Sequence, residues 1–573
     1  MIKMCAKVDP ITLSVIHHRL EWINKEMGVV MLRTARSPIF AEVHDFSCAI
    51  CDWGPRIVSQ VDGVPTHTAS TMIAAREVVK EFKDDIHDGD VFIINDPYAG
   101  GTHLADITVL KPVFYKDELL FFTINRAHHL DVGGMTAGTY SPSATEVYHE
   151  GIRIPPLRIY RENKPLKDVL NFIVTNTRFS ELILADIKAQ VGSCIVGERR
   201  LKEMIEKYGP ETVKQVVEAI LDYSEKRIRQ EIATFKKGTF YGESRVDDDG
   251  FGTSPVIKVK LTVTENNDII VDFTGSSPQV KGPINSPYAN TAQAVYLTIL
   301  TIVDPTIPHN EGTYRAIKII APEGTIVNCK PPAPVANSTL DTACAIIDAM
   351  WQALANVAPE RTPAGWSRWH GPAIVGVDPR TNEPYVCYAF NGLGGAGALY
   401  GMDGWNHIGD PGDLGGLIIP NIETNETNYP HITEFYEFQT DSGGPGKWRG
   451  GLGVRYRIRF YDEQPVLVMF GDGLRTRPYG LFGGKPGKPN VAILNEGEEG
   501  EKELPAKGVI VCKKGDTYTI YSAGGGGWGN PLERDPERVL EDVKNGYVSI
   551  ESAEKDYGVV IDPKTMRIVA LKR

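Results

Sequence analysis

The chain has few cysteines and no long apolar run. Its eight cysteines are scattered over 573 residues, too sparsely for the disulfide framework of small secreted domains. No run reaches the roughly 18 consecutive apolar residues of a membrane-spanning helix, and the N-terminus lacks the apolar core of a secretory signal. We therefore expect a cytoplasmic protein that does not enter the membrane.

Positive charge is also in deficit. Lys and Arg number 61 against 73 Asp and Glu, which gives a net charge of −12. Phosphate backbones and anionic lipids are bound by clustered Lys and Arg, so we expect neither nucleic acid nor membrane as a partner. The apolar share of 42% and the charged share of 23% are ordinary for a globular protein and exclude wholesale disorder.

Motifs for nucleotides and for a serine nucleophile are missing. The phosphate loop GxxxxGK[ST] and the elbow G-x-S-x-G do not occur. The glycine run at 523–529 lacks a following helix, so it is not a dinucleotide-binding loop. We expect this run, and the similar one at 442–447, to form tight turns, and we expect no ATP site on this chain.

What the chain has is an uneven distribution of histidine. Nine of its 13 histidines lie in the first 149 residues. Two motifs carry several of them, NDPYAGGTHLAD at 95–106 and AHHLDVGG at 127–134. This skew indicates a metal site or an acid–base site near the N-terminal end.

Hydrophobic periodicity predicts an α+β fold with several domains, mixed helices, largely antiparallel sheets, and a β- and Gly-rich C-terminal part. Switches of period place boundaries near 236 and 430. We expect an N-terminal α+β metal-binding domain (1–236) and a central α/β region with a β-hairpin and helices (237–430). A β-rich, glycine-containing region with a short helical tail (431–573) follows.

The spacing of His103, Asp106 and His128 points to a metal. An imidazole and a carboxylate three residues apart can converge at the start of a strand, and an imidazole at the neighbouring strand end completes three ligands. Zinc, manganese and iron accept such mixed nitrogen and oxygen ligands. The His44-Asp45 pair, ahead of another strand, could add a fourth. The alternative is that these groups only make turn hydrogen bonds.

A second metal motif is weaker. Cys48-x-x-Cys51 has the spacing of a zinc half-site but no matching second half. The flanking residues alternate as in a strand, which would turn the two thiols to opposite faces. We therefore interpret both cysteines as structural.

Several segments together resemble one family. They are DPITLSVIHHRL at 9–20, HDFSCAI at 44–50, DGDVFIINDPYAGGTHLADITV at 88–109, AHHLDVGG at 127–134, HEGIRIPP at 149–156, DSGGPGKWRGGLG at 441–453 and SAGGGGWGNP at 522–531. Over nearly its whole length the chain resembles the hydantoinase B/oxoprolinase family. This family comprises the metal-containing subunits or halves of N-methylhydantoinases, 5-oxoprolinases and caprolactamase, with acetone and acetophenone carboxylases as relatives.

The resemblance implies a ligand set and a partner. The metal ligands match Asp45, His103, Asp106 and His128, the last preferred over His129; zinc is favoured, with manganese or iron as alternatives. The implied partner is a hydantoinase A-like ATPase subunit that uses ATP to phosphorylate the carbonyl oxygen of a small cyclic amide, in a hetero-oligomer such as a heterotetramer. His149 stands where the resemblance leads us to expect an acidic residue.

Five further residues are candidates for catalysis or substrate binding. Asp131, Glu150 and His129 could orient the ligand imidazoles or move protons. His67 and Arg153 could contact substrate, since an arginine suits a carboxylate or a phosphate. For each of these residues, ordinary structural bonding is the alternative.

The resemblance implies an ATP-dependent amidohydrolase that opens a hydantoin, 5-oxoproline or lactam ring. The alternative enzyme is a subunit of an ATP-dependent acetone- or acetophenone-type ketone carboxylase. A non-catalytic scaffold for the ATPase subunit is a third reading, which predicts no bound metal.

Overall fold

The computed structural model describes residues 8–61 and 63–572. Its helices in this part of the chain are α1 (Pro10–Thr34), α2 (Pro38–Ala41), α3 (Ser70–Phe82), α4 (Lys167–Thr175), α5 (Ser180–Tyr208), α6 (Pro210–Ala233), α7 (Tyr288–Leu300), α8 (Glu311–Tyr314), α9 (Ala343–Leu354), α10 (Ile422–Asn428), α11 (Pro536–Lys544) and α12 (Ile550–Tyr557). α1 begins as the sequence predicts, because the Asp9 carboxylate accepts from the Thr12 N–H and Pro10 occupies the first turn. None of the described helices is long and apolar enough to cross a membrane.

The first sheet carries the candidate site. Its strands are β1 (Phe46–Asp52), β2 (Ile57–Val61), β3 (Val91–Ile94), β4 (Asp106–Tyr115), β5 (Glu118–His128), β6 (Leu157–Arg161) and β7 (Lys164–Pro165). They are ordered β2-β1-β5-β4-β3-β6-β7, and every neighbouring pair is antiparallel.

Helices cover both faces of this sheet. On one face α1 and α5 form a core with the strands, which includes Met27, Val109 and Ile187. On the other face α3 packs through Val78 against Phe122. Because both faces are covered, β1 is buried along its whole length, and its side chains alternate between the two cores.

The two cysteines of the CxxC motif follow this alternation. Cys48 belongs to the core under α1 and α5, whereas Cys51 belongs to the core under α3. Their thiols therefore lie on opposite faces of β1 and cannot share one ion. This placement agrees with the structural role predicted for the pair.

The second sheet follows the long helices α5 and α6. It contains β8 (Gly238–Arg245), β9 (Val256–Val263), β10 (Ile269–Asp272) and β11 (Ile317–Ile320). β10 and β11 are parallel, and the other pairs are antiparallel. A core from Ile228 to Ala358 joins this sheet to α7 and α9.

The C-terminal part is rich in strands. They are β12 (His370–Asp378), β13 (Glu383–Tyr388), β14 (His431–Phe438), β15 (Val454–Phe460), β16 (Val466–Gly471), β17 (Val491–Leu494), β18 (Lys502–Glu503), β19 (Gly508–Val511), β20 (Thr517–Tyr521), β21 (Val559–Asp562) and β22 (Arg567–Leu571). They form sheets β13-β12-β16-β19 and β14-β15-β20-β17-β18, and the hairpin β21-β22. The predicted α+β fold with largely antiparallel sheets is confirmed.

The glycine-rich segments differ from the tight turns expected at 442–447 and 523–529. Their chains lie side by side, joined by bonds such as Gly525 N–H to the Gly451 carbonyl and Gly444 N–H to the Gly525 carbonyl. A Cβ on Gly525 would lie 1.8 Å from the Ala396 carbonyl oxygen. Glycine is needed here because neighbouring backbones occupy the space of a side chain.

This packing predicts that Gly450→Ala destabilises the protein. The added Cβ would lie 1.9 Å from the Gly525 carbonyl oxygen, so backbone must move, at a cost of about 1–3 kcal/mol. The midpoint of thermal unfolding should fall. Gly192→Ala is the matched control: in α5 it has no neighbour within 4 Å and should keep or raise the midpoint. An unchanged midpoint for Gly450→Ala would contradict the packing described.

Candidate metal centre

Antiparallel pairing of β4 with β5 places two of the predicted ligands opposite each other. Asp106 is the first residue of β4, His128 is the last residue of β5, and the two form a register pair. His103 lies three residues ahead of β4, with its Nε2 2.9 Å from Asp106 Oδ1. His128 Nδ1 lies 3.2 Å from His103 Nε2 and 3.3 Å from Asp106 Oδ1. Three donor atoms thus converge on one point.

The donor set fits a divalent ion. One ligand atom from each of His103, Asp106 and His128 lies within 4.8 Å of the others, and all three residues are buried. The His103 Nδ1 lies 2.8 Å from the Ala336 carbonyl oxygen, which can only accept, so this nitrogen carries the proton. In the neutral ring, the Nε2 lone pair then faces the cluster, as metal ligation requires.

Asp45 and His67 extend the cluster. Asp45 directly precedes β1, and its carbonyl accepts from the His128 N–H at 3.1 Å. His67 ends the 3-10 turn Pro65–His67, and its Nε2 lies 3.5 Å from Asp45 Oδ1 and 3.6 Å from Asp106 Oδ1. The structure therefore brings three of the four predicted ligands together, and His67 links the fourth, Asp45, to them. The sequence suggests that His67 contacts substrate, and in the structure its Nε2 lies among the ligand atoms.

The charges within the cluster shift the pKa values of its members in different directions. Burial acts to raise the pKa of Asp106, but His103 and His67 hold it well below its ordinary value. Burial and the charges of Asp106 and Asp410 raise the pKa of Asp45 well above its ordinary value. Burial lowers the pKa of His67 to about 4, so this imidazole is neutral near pH 7. Crowded carboxylates beside the neutral His67 imidazole are an arrangement that a cation stabilises.

Two tyrosines from separate segments of the chain line one side of the cluster. The ring of Tyr140 stacks on His128 with 5.8 Å between centroids, and Tyr388 of β13 meets His128 edge-on at 6.1 Å. Thr139 Oγ1 lies 3.4 Å from His128 Nε2. Sequence motifs do not single out these residues, since none belongs to a histidine-bearing motif.

The sequence motifs also do not indicate a pair of buried carboxylates near the cluster. Asp410 and Asp413 are buried, and one oxygen of each (Oδ2) has no hydrogen-bond partner. The charge of Asp410 acts on Asp45, and that of Asp45 on Asp413. The pair lies in DPGD, a segment whose local pattern indicates only a turn.

Two predicted catalytic residues lie away from this cluster. His129 follows His128, so alternation turns it to the α5 face of the sheet, where its Nε2 is 3.0 Å from Gln190 Oε1. The Asp131 carboxylate accepts from Arg178 Nη1 at 2.9 Å and from the Arg178 and Gly133 backbone N–H groups. Both side chains are therefore bound to protein groups outside the cluster.

Glu150, Arg153 and His149 have separate placements. The buried Glu150 carboxylate accepts from the backbone N–H groups of Val335 and Ala336, and the Ala336 carbonyl holds His103. Arg153 lies over the Tyr98 and Tyr148 rings, with Nε 3.5 Å from Asp96 Oδ2. His149 Nδ1 accepts from the Thr145 N–H. Glu150 therefore reaches the centre through the backbone of one residue, Ala336.

The geometry predicts which histidine of the pair holds metal. His128→Ala should lose most of the bound divalent ion, because it removes a donor atom from the cluster. His129→Gln is the matched control and should keep the ion, since its ring faces Gln190. Metal analysis of the purified variants checks this. Full retention by His128→Ala together with loss by His129→Gln would contradict the assignment.

The position of Glu150 predicts that its removal weakens metal binding indirectly, and less than loss of a ligand does. Glu150→Ala frees the segment that carries the Ala336 carbonyl and loosens the His103 ring. Metal affinity should fall about 10–100-fold, as for other outer-shell partners. Titration of the apoprotein with zinc and a competing chelator measures this affinity. An unaltered affinity would show that Glu150 does not support the metal centre.

Comparisons with known proteins agree with this architecture. The sequence model of the Hydantoinase B/oxoprolinase family matches residues 9–531. The beta subunit of caprolactamase from Pseudomonas jessenii is 36% identical over 566 residues, which cover 97% of each chain. The B subunit of a putative D-/L-hydantoinase from Pseudomonas sp. (strain NS671) is 33% identical, over 97% of this chain and 96% of that one.

Solved structures are similar as well. The crystal structure of the ATP-dependent caprolactamase from Pseudomonas jessenii superposes with a TM-score of 0.92 at 35% identity, over 99% of this chain and 98% of the other. A nucleotide-free acetone carboxylase shares the fold, with a TM-score of 0.89 at 19% identity, over 99% and 81% of the two chains. With the family model matched over most of its length, this chain belongs to the hydantoinase B/oxoprolinase family.

Proposed function

We propose that this chain is the metal-dependent subunit of an ATP-dependent cyclic amide hydrolase. The observation that carries the proposal is the convergence of His103, Asp106 and His128 in a chain similar over 97% of its length to one of the subunits of caprolactamase. The likeness to acetone carboxylase, at 19% identity, supports the fold only. Ring hydrolysis is therefore preferred to ketone carboxylation.

The chemistry explains why a partner is needed. Amide resonance makes the ring carbonyl a weak electrophile and its nitrogen a poor leaving group. Phosphorylation of the carbonyl oxygen turns the amide into an imidate phosphate, whose carbon is far more open to attack. This chain has no nucleotide-binding loop, so we assign that step to a hydantoinase A-like ATPase subunit in a hetero-oligomer such as a heterotetramer.

Asp45, His103, Asp106 and His128 would hold the ion in this subunit, zinc being favoured over manganese or iron. When bound, a divalent ion supplies a Lewis acid that brings the pKa of water from about 15.7 towards about 7. Ala336 and Glu150 fix the His103 ring so that Nε2 faces the centre. His67, neutral near pH 7, can accept a proton from water beside Asp45 and Asp106.

The surroundings keep the site dry and its charge balanced. Tyr140 and Tyr388 cover His128 with aromatic rings, which excludes bulk water and strengthens the electrostatic interactions inside. Two residues along β5 from His128, the buried Arg126 guanidinium donates to Thr108, Ser70 and the Gly100 carbonyl. Its positive charge offsets part of the negative charge of the carboxylates.

Activity of the reconstituted enzyme tests the proposal. The chain is co-purified with its ATPase partner, and ATP use is measured with caprolactam, hydantoin, 5-oxoproline, acetone and acetophenone. We expect one cyclic amide to stimulate ATP use and to be opened, and His103→Ala to abolish ring opening. ATP-dependent carboxylation of a ketone would favour the carboxylase, and ring opening that survives His103→Ala would favour a scaffold.

A further inference from the structure

The buried carboxylates of Asp410 and Asp413 are not used by the mechanism above. Both residues are more than nine-tenths buried, and Oδ2 of each has no partner. A buried carboxylate oxygen without a donor is costly, and here two such oxygens occur within four residues. The donor can come from the pair itself if one carboxyl group is protonated, and the two side chains do interact through a hydrogen bond.

The segment that carries the pair is fixed against the metal centre. The Ile418 N–H donates to the Val43 carbonyl, two residues before Asp45. A Cβ on Gly412, between the two aspartates, would lie 3.1 Å from Thr66 Cγ2, and Thr66 adjoins His67. The charge of Asp413 also acts on Tyr140, which stacks on His128. The pair therefore lies beside the cluster, on the side of Asp45 and His67.

The two carboxyl groups have different environments. Asp410 Oδ1 accepts from the backbone N–H groups of Gly412 at 2.7 Å and Asp413 at 3.1 Å, and lies 3.6 Å from Cys344 Sγ. Burial raises the pKa of Asp410 to about 6, and these donors act to lower it, so Asp410 is largely ionised near pH 7. For Asp413, burial and the neighbouring charge of Asp410 raise the pKa well above its ordinary value. Asp413 is therefore the member that carries a proton.

The proposed reaction needs an acid at the ring nitrogen. Water added to the imidate phosphate gives a tetrahedral carbon that bears a hydroxyl, a phosphate oxygen and the ring nitrogen. If the phosphate leaves first, the cyclic amide is regenerated and ATP is wasted. Only cleavage of the C–N bond opens the ring, and the ring nitrogen is a poor leaving group unless it is protonated.

We propose that Asp413 is the catalytic acid that protonates the ring nitrogen, while Asp410 holds its carboxyl group in place. The C–N electron pair goes to nitrogen, which takes the Asp413 proton and leaves as an amine. The hydroxyl of the tetrahedral carbon returns its proton to Asp413 as the carbonyl forms. The product is an acyl phosphate, and a second water then releases carboxylate and phosphate. This inference rests on the proposed function.

Labelled water tests the order of bond cleavage. Wild type and Asp413→Asn, each with its ATPase partner, turn over the cyclic amide identified above in ¹⁸O water. Wild type should keep ATP use and ring opening stoichiometric. Asp413→Asn should slow ring opening about 100-fold or more while still using ATP, and recovered amide should gain ¹⁸O in its carbonyl because phosphate now leaves first.

Controls separate this role from structural effects. Asp413→Glu retains an acid and should restore part of the coupling. Asp462→Asn removes another buried carboxylate, whose partner is Tyr385, and should stay coupled. Metal content should equal that of wild type in Asp413→Asn; if wild type binds two ions per chain and this variant one, the pair is a second metal site and the inference is overturned.

The experiment distinguishes failure of this inference from failure of the proposed function. If Asp413→Asn stays coupled and its recovered amide contains no ¹⁸O, Asp413 is not the acid and the proposed function stands. If wild type with its partner opens none of the cyclic amides, the proposed function falls and the inference falls with it.

Discussion

The antiparallel register of β4 on β5 is the constraint on which the candidate site depends. It pairs Asp106 with His128 at the end of a sheet that helices cover on both faces. Because successive side chains alternate, a slip of one residue would bring His129 to the centre and bury His128 under α5. The two hydrophobic cores fix the register, so packing of the sheet and assembly of the metal centre are one event.

Much of this centre could be predicted from the sequence because its signals are local. The spacing of His103 and Asp106, the strand that ends at His128 and the position of Asp45 before a strand all lie in short motifs. The preference for His128 over His129 comes from the family resemblance, and alternation along β5 gives it a structural reason. The sequence also singles out Glu150, but it cannot show that this carboxylate acts on His103 through the backbone of Ala336.

The parts that could not be predicted depend on contacts between distant segments. Tyr388, Asp410 and Asp413 come to the centre only when the glycine-rich C-terminal part docks on the first sheet. Contacts within the C-terminal part explain the glycines: runs whose composition indicates turns lie against other backbones, which occupy their Cβ positions. His67 is similar, since its 3-10 turn has no metal-binding motif and only the fold brings Nε2 to Asp45 and Asp106.

The central claim is that a divalent ion occupies the point where β4 and β5 meet. Anomalous X-ray diffraction at the absorption edge of the co-purified metal tests it most directly. The account predicts one strong peak about 2.0–2.2 Å from His103 Nε2, Asp106 Oδ1 and His128 Nδ1, with Asp45 as a further ligand. A fully occupied ion elsewhere on the chain, with no peak between these three atoms, would contradict the account.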